Sequence, residues 1–235
     1  MFRLFITPTW FNGFDLLFNI VSLVIALSIA GYSWKIYRTH QENKFAYFSL
    51  AFLSLSAAYV FKVFTSGIVY FTPIRDVAAN VLRPIAGQGL EFSGYLYRSG
   101  FTLHMIAILG AWLLIFFISQ KSRSRLNKLH EVMQIGLFLY LIFLIAIVSN
   151  FTPVVFTLTS CVILSMIVLN YYKNYLNTNK NNNAFLVMMS FLLILFGNFM
   201  FVFTFFIRNL YVLGEVFVVL GFLLLLYTYR KTTGK

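Results

Sequence analysis

The chain has 235 residues, of which 60% are hydrophobic and 10% charged, with a formal net charge of +12. So little polar surface cannot wrap a water-soluble core of this size, which excludes an ordinary soluble domain and implies a polytopic membrane protein. The basic excess would suggest nucleic acid in a soluble domain, but here it lies between apolar runs and is explained by topology, so no nucleic-acid partner is expected.

The hydropathy pattern predicts an all-α fold with seven transmembrane helices, over residues 14–37, 45–71, 91–120, 131–150, 152–174, 184–207 and 209–229. Together they make one domain over residues 1–235. Each run is long enough to cross ~30 Å of hydrocarbon at ~1.5 Å per residue. In the first, Ser22, Ala26 and Ala30 recur every fourth residue and give a small-residue stripe suited to close helix packing. Arg3, this run, Ser28 and Ala30 also fit a cleaved signal peptide; Asp15 before the run with Lys35 and Arg38 after it favours an uncleaved helix.

The second run is broken only by Lys62. The connection over residues 72–89 mixes Pro73, Arg75, Asp76, Arg83 and Pro84 with apolar residues, which suits an interfacial helix or a lid. The third run carries Glu91, Arg98 and His104 near its start and ends in the basic stretch KSRSRLNK at residues 121–128. A polar turn too short for anything but antiparallel neighbours separates the fourth and fifth runs. The fifth and sixth are joined by an asparagine-rich loop, and the seventh carries Glu215.

Placing KSRSRLNK in the cytoplasm fixes every other segment. The N-terminus is then outside and the C-terminus cytoplasmic in a cell membrane. Twelve of the 18 lysines and arginines fall on the inner side, as positive-inside sorting requires. A topology reporter joined after Lys128, Lys180 or Lys235 is expected in the cytoplasm, and one near Asp76 or Asn150 outside. A cytoplasmic Asp76 would overturn the frame.

Residues 33–47 align with residues 171–185, matching Lys35 with Lys173, Tyr37 with Tyr175 and Ala46 with Ala184. Residues 103–117 align with 214–228, matching Gly110 with Gly221 and His104 with Glu215. These matches suggest a 3+1+3 parallel internal repeat with the fourth helix as linker, chance similarity in apolar sequence being the alternative. Microbial rhodopsins and small sugar transporters share that plan in topology. However, the seventh run lacks the lysine a retinal Schiff base needs, and no Pro-Gln pair is present.

Ionisable residues inside a membrane are costly and mark function by default, with pairing or snorkelling as the structural alternative. Lys62, His104 and Glu215 fall in one layer below the outer boundary, with Asn198 and Asn19 at similar depth and Glu91 and Arg98 above. Lys62 is expected to snorkel outward, and His104 and Glu215 to share one ligand or proton site, with Lys62, Asn198, Glu91 and Arg98 as its further candidate residues. No catalytic residue is expected. The single Cys161 offers no redox pair or metal cluster, and His130-Glu131 lacks the second histidine of a zincin, so no metal or cofactor is expected. The expected function is a receptor-like or sensory module with an outward-facing polar pocket, partnered by the lipid bilayer and by a small-molecule ligand or cytoplasmic protein. A small secondary transporter or proton-coupled carrier, or a structural or assembly subunit, are the alternatives. An enzyme is not expected.

Overall fold

The structure, a computed structural model, describes residues 7–11, 13–70, 92–120, 128–149 and 152–233. Among these residues it is all-helical. The helices are α1 (Phe14–His40), α2 (Asn43–Tyr70), α3 (Phe92–Ser119), α4 (Lys128–Ser149), α5 (Pro153–Asn177), α6 (Asn182–Val202) and α7 (Leu210–Thr233), with 3-10 turns at Thr9–Phe11 and Phe203–Phe205. Six of the seven are long and apolar enough to cross a membrane; in α4 the apolar piece is the shorter Phe138–Ser149. The connection over residues 72–89, the stretch 121–127 and Glu91 lie outside the described residues.

Local chemistry sets the helix ends. Asp15 Oδ1 accepts from the backbone N–H groups of Gly13 (3.0 Å) and Leu16 (2.9 Å), placing a carboxylate at the positive end of α1. Gln41 ends that helix in the left-handed region (φ 54°). Pro153 starts α5, where its missing N–H removes no helix bond. Asn179 and Lys180 both take positive φ in the α5–α6 loop, and Asn181 caps α6 by accepting from the Asn183 N–H (3.0 Å).

Six helices close a ring in the order α1, α2, α3, α5, α6, α7 and back to α1, while α4 packs more sparsely against α3 and α5 from outside. Large apolar side chains such as Phe52, Leu55 and Phe222 fill the interior together with buried polar and small residues. On α1 the exposed residues include Phe14, Leu17, Ile20, Val24 and Leu27, and the buried ones are Asp15, Asn19, Ser22, Ile25, Ala26, Ile29, Ala30 and Ser33. Lipid tails solvate leucine as well as a protein core does, so helices associate through small residues and interhelical hydrogen bonds. The stripe of Ser22, Ala26 and Ala30 is buried, and the Ala30 carbonyl accepts from Ser49 Oγ of α2 (2.9 Å).

The α2–α3 contact follows the same rule. The Ala107 carbonyl accepts from Ser54 Oγ (3.0 Å), and Ala111 is fully buried one turn further on. Leucine at either position must wedge α2 and α3 apart, with an expected loss of about 1–3 kcal/mol. Leu223, on the exposed surface of α7, should tolerate alanine far better. Thermal unfolding in nanodiscs compares the sites, and equal tolerance at Ala107, Ala111 and Leu223 would contradict this packing.

Two cavities lie at opposite ends of the ring. The end holding the Phe203–Phe205 turn, here the distal end, has one of about 100 Å³. The other, here the basic end, opens a vestibule of about 1010 Å³ among the ends of α1, α2, α5, α6 and α7.

Candidate functional site

The distal cavity is organised by an ion pair. Lys62 on α2 is 7% exposed and Glu215 on α7 is 1% exposed, and Lys62 Nζ donates to Glu215 Oε1 at 2.7 Å. Lys62 Nζ also sits 5.7 Å from the centroid of the Tyr211 ring, within cation–π range. The outward reach expected of Lys62 is therefore not what the structure has. A lysine stem can turn inward when a buried carboxylate lies within its radius, and pairing removes the penalty that would otherwise drive it to the headgroups.

His104 on α3 lines the same cavity and is 3% exposed. Its Nδ1–H donates to the Ala58 carbonyl of α2 at 2.8 Å. A carbonyl can only accept, so in a neutral ring Nε2 is the acceptor. His104 and Glu215 thus share a cavity, but the ion-pair partner of Glu215 is Lys62. The cavity also takes in Asn198 of α6, whose Nδ2 donates to the Ile194 carbonyl (2.9 Å). Arg98 is exposed in the second turn of α3, with its carbonyl accepting from Thr102 Oγ1 (2.8 Å), and Asn19 is buried on α1; neither lines the cavity.

Trp112, Tyr59 and Tyr211 line the cavity and were not singled out in the sequence. Helical spacing marks them. Trp112 stands two turns beyond His104, Tyr59 three residues before Lys62, and Tyr211 four before Glu215, each on its partner's face. Trp112 is 2% exposed, and among the described residues its indole N–H has no acceptor. A buried N–H without a partner is costly and calls for water or ligand beside it.

α2 and α7 are not close neighbours in the ring. Long side chains bridge them instead, at three levels: Lys62 with Glu215, Tyr59 edge-on to Phe222 (6.1 Å between centroids), and Phe48 stacked on Tyr229 (5.2 Å) at the basic end. The distal end is roofed by Pro153, Thr204 and Phe205. Among the described residues no three His, Cys, Asp or Glu side chains converge to hold a metal. What the site offers is a cation, an anion, an imidazole and an indole donor around a space of a few heavy atoms.

These features define a class, the multi-pass helical membrane protein with a buried charged pocket between its helices. No known family matches the chain, and no curated protein or solved structure shows significant similarity to it.

Proposed function

We propose that this chain is a receptor-like membrane module that takes a small polar ligand into the distal cavity, with the basic end in the cytoplasm and the N-terminus outside. The observation that carries the reading is the Lys62–Glu215 pair lining a cavity of about 100 Å³. That is less room than the ~150 Å³ cavity that holds benzene, so the ligand is a solute of a few heavy atoms. A zwitterion complements the pair, with its carboxylate to Lys62 and its ammonium to Glu215. Such a ligand exchanges one buried ion pair for two and loosens the direct link between α2 and α7. The aromatic contacts below that link carry the change toward the basic end.

Seven spans fit this frame. α4 has 22 residues, about 33 Å at ~1.5 Å per residue, and exposes Leu139, Phe143 and Ile147 as a lipid-facing helix does. The 3+1+3 repeat is supported by the ring order: a twofold exchanging α1 with α5, α2 with α6 and α3 with α7 maps every ring contact onto another. It is supported again at the basic vestibule, which Ile36 and its aligned counterpart Asn174 line together, as do Phe45 and Asn183.

The test uses Trp112 as the reporter. With Trp10 and Trp34 replaced by phenylalanine, the nanodisc-embedded protein is titrated with glycine, acetate and methylammonium. Glycine should change Trp112 fluorescence saturably, the single-charge ions less, and Lys62→Met should abolish the response. Identical titrations with and without Lys62 would sink the proposal. A small secondary carrier is the second reading, favoured by the cavities at both ends with Phe52, Leu55, Phe222 and Leu225 buried between them. Glycine uptake into proteoliposomes, lost in Lys62→Met, would select the carrier.

A further inference from the structure

The vestibule at the basic end is a second cavity, with a lining chemically unlike the first. Lys35 and His40 of α1 and Arg230 of α7 line it, and among the described residues no carboxylate does. Among the described side chains the one carboxylate near this end is Glu42, which is paired with Lys44. The three basic groups are exposed and converge on one opening from two helices, while Phe45, Phe48 and Val187 make part of the lining apolar. Asn174 and Asn183 add amides from the opposite wall.

A cavity with this lining selects an anion. The charges of Lys35 and Arg230 add within a concave wall, and among the described residues no acid lines it to cancel them. Arg230 supplies a planar fork suited to two oxygens of one group, and Lys35 supplies a point charge that can meet a third. That combination matches phosphate better than a lone carboxylate. The space, about 1010 Å³, exceeds inorganic phosphate and leaves room for an attached organic or lipid portion against the aromatic wall. Topogenic charges alone need only lie near the membrane surface. These three share one cavity, whereas Lys173 and Lys231, exposed on α5 and α7 at the same end, do not line it.

We infer that the basic-end vestibule binds the phosphate group of an anionic ligand, held by Lys35 and Arg230 with His40 at the rim. The inference stands whether or not the distal cavity takes a ligand. A lipid head group and a soluble phosphoester present the same chemistry, and the test separates them.

The full chain is placed in nanodiscs of phosphatidylcholine, and pyrophosphate binding is measured by calorimetry. In parallel, lipid retention is measured by native mass spectrometry from nanodiscs of mixed phosphatidylcholine and phosphatidylglycerol. The Lys35→Gln/Arg230→Gln variant removes two charges from the vestibule, and Lys173→Gln/Lys231→Gln removes two charges outside it. For at least one probe, the vestibule variant should bind about tenfold more weakly, since one charge-assisted hydrogen bond is worth at least that. The control should change less than about twofold, as screened surface charges contribute little. The pair Lys35→Arg/Arg230→Lys keeps the charge and should retain most of the binding. Pyrophosphate binding in phosphatidylcholine identifies a soluble ligand, and selective retention of phosphatidylglycerol identifies a lipid. Equal losses in the two neutralised variants, or no binding of either probe to the unmodified chain, would overturn the inference.

Discussion

Replacing Lys62 by methionine is expected to destabilise the folded bundle by about 3–5 kcal/mol, the usual penalty for breaking a buried ion pair from one side. The loss comes less from the missing attraction than from what remains, because Glu215, 1% exposed, is left without its counter-charge. Glu215→Gln should cost less. Released from Glu215, the lysine keeps a four-carbon stem that can carry its ammonium toward the distal interface, an escape the shorter glutamate lacks. The double replacement Lys62→Met/Glu215→Gln should be milder than Lys62→Met alone, since it removes the buried charge that Lys62→Met leaves behind. Unfolding of the purified protein in nanodiscs gives all three values. Additivity of the single effects within ~0.5 kcal/mol would show that the two groups do not meet. A companion cycle on His104→Ala with Glu215→Gln should give a smaller coupling, because the ring nitrogen of His104 is bound to the Ala58 carbonyl.

The layer at which this pair sits was legible in the sequence, and its partners were not. Depth in a membrane follows from counting residues along each helix, and Lys62, His104 and Glu215 do line one cavity. Which groups touch depends on helix rotation and ring order, and an apolar run carries little information on either. Nearly every face of such a helix is hydrophobic, so the usual contrast between a core face and a water face is absent. Small residues carry what signal there is. Ser22, Ala26 and Ala30 mark a buried face; on α3, Ala111 is fully buried and Ala107 is half-buried.

The aligned glycines show where that signal fails. Gly110 and Gly221 occupy matching positions in the sequence, yet a side chain on Gly110 would meet nothing within 4 Å, whereas one on Gly221 would lie 2.8 Å from the Ser190 carbonyl oxygen. A glycine in a membrane helix is common enough that its presence does not tell an interface from a lipid-facing surface. The fourth helix is a similar case. Its apolar piece is the shorter Phe138–Ser149, and its sparse packing against α3 and α5 leaves the ring to the other six.

Substituting Gly197 by alanine should be as disruptive as any single methyl group added to this protein. α6 and α7 pack extensively against each other, and Gly197 lies where the backbones come together. A Cβ there would stand 2.7 Å from the Gly214 carbonyl oxygen and 2.6 Å from Val218 Cγ2. The contact is reciprocal, since a Cβ on Gly214 would stand 2.9 Å from the Gly197 carbonyl oxygen. A flexible side-chain tip can rotate away from such a clash, but a helical carbonyl cannot without moving its helix. Overpacking of this kind costs about 1–3 kcal/mol, and a backbone obstacle puts Gly197→Ala and Gly214→Ala at the upper end. The displacement also reaches the distal cavity, because Asn198 follows Gly197 and Glu215 follows Gly214. Gly31→Ala is the control: a Cβ there meets nothing within 4 Å, and alanine is the better helix former by up to ~1 kcal/mol. Thermal unfolding should rank Gly31→Ala at or above the unmodified chain, with Gly197→Ala and Gly214→Ala well below it. If Gly197→Ala and Gly31→Ala melt alike, α6 and α7 do not approach as described, and the placement of Glu215 against Lys62 falls with them.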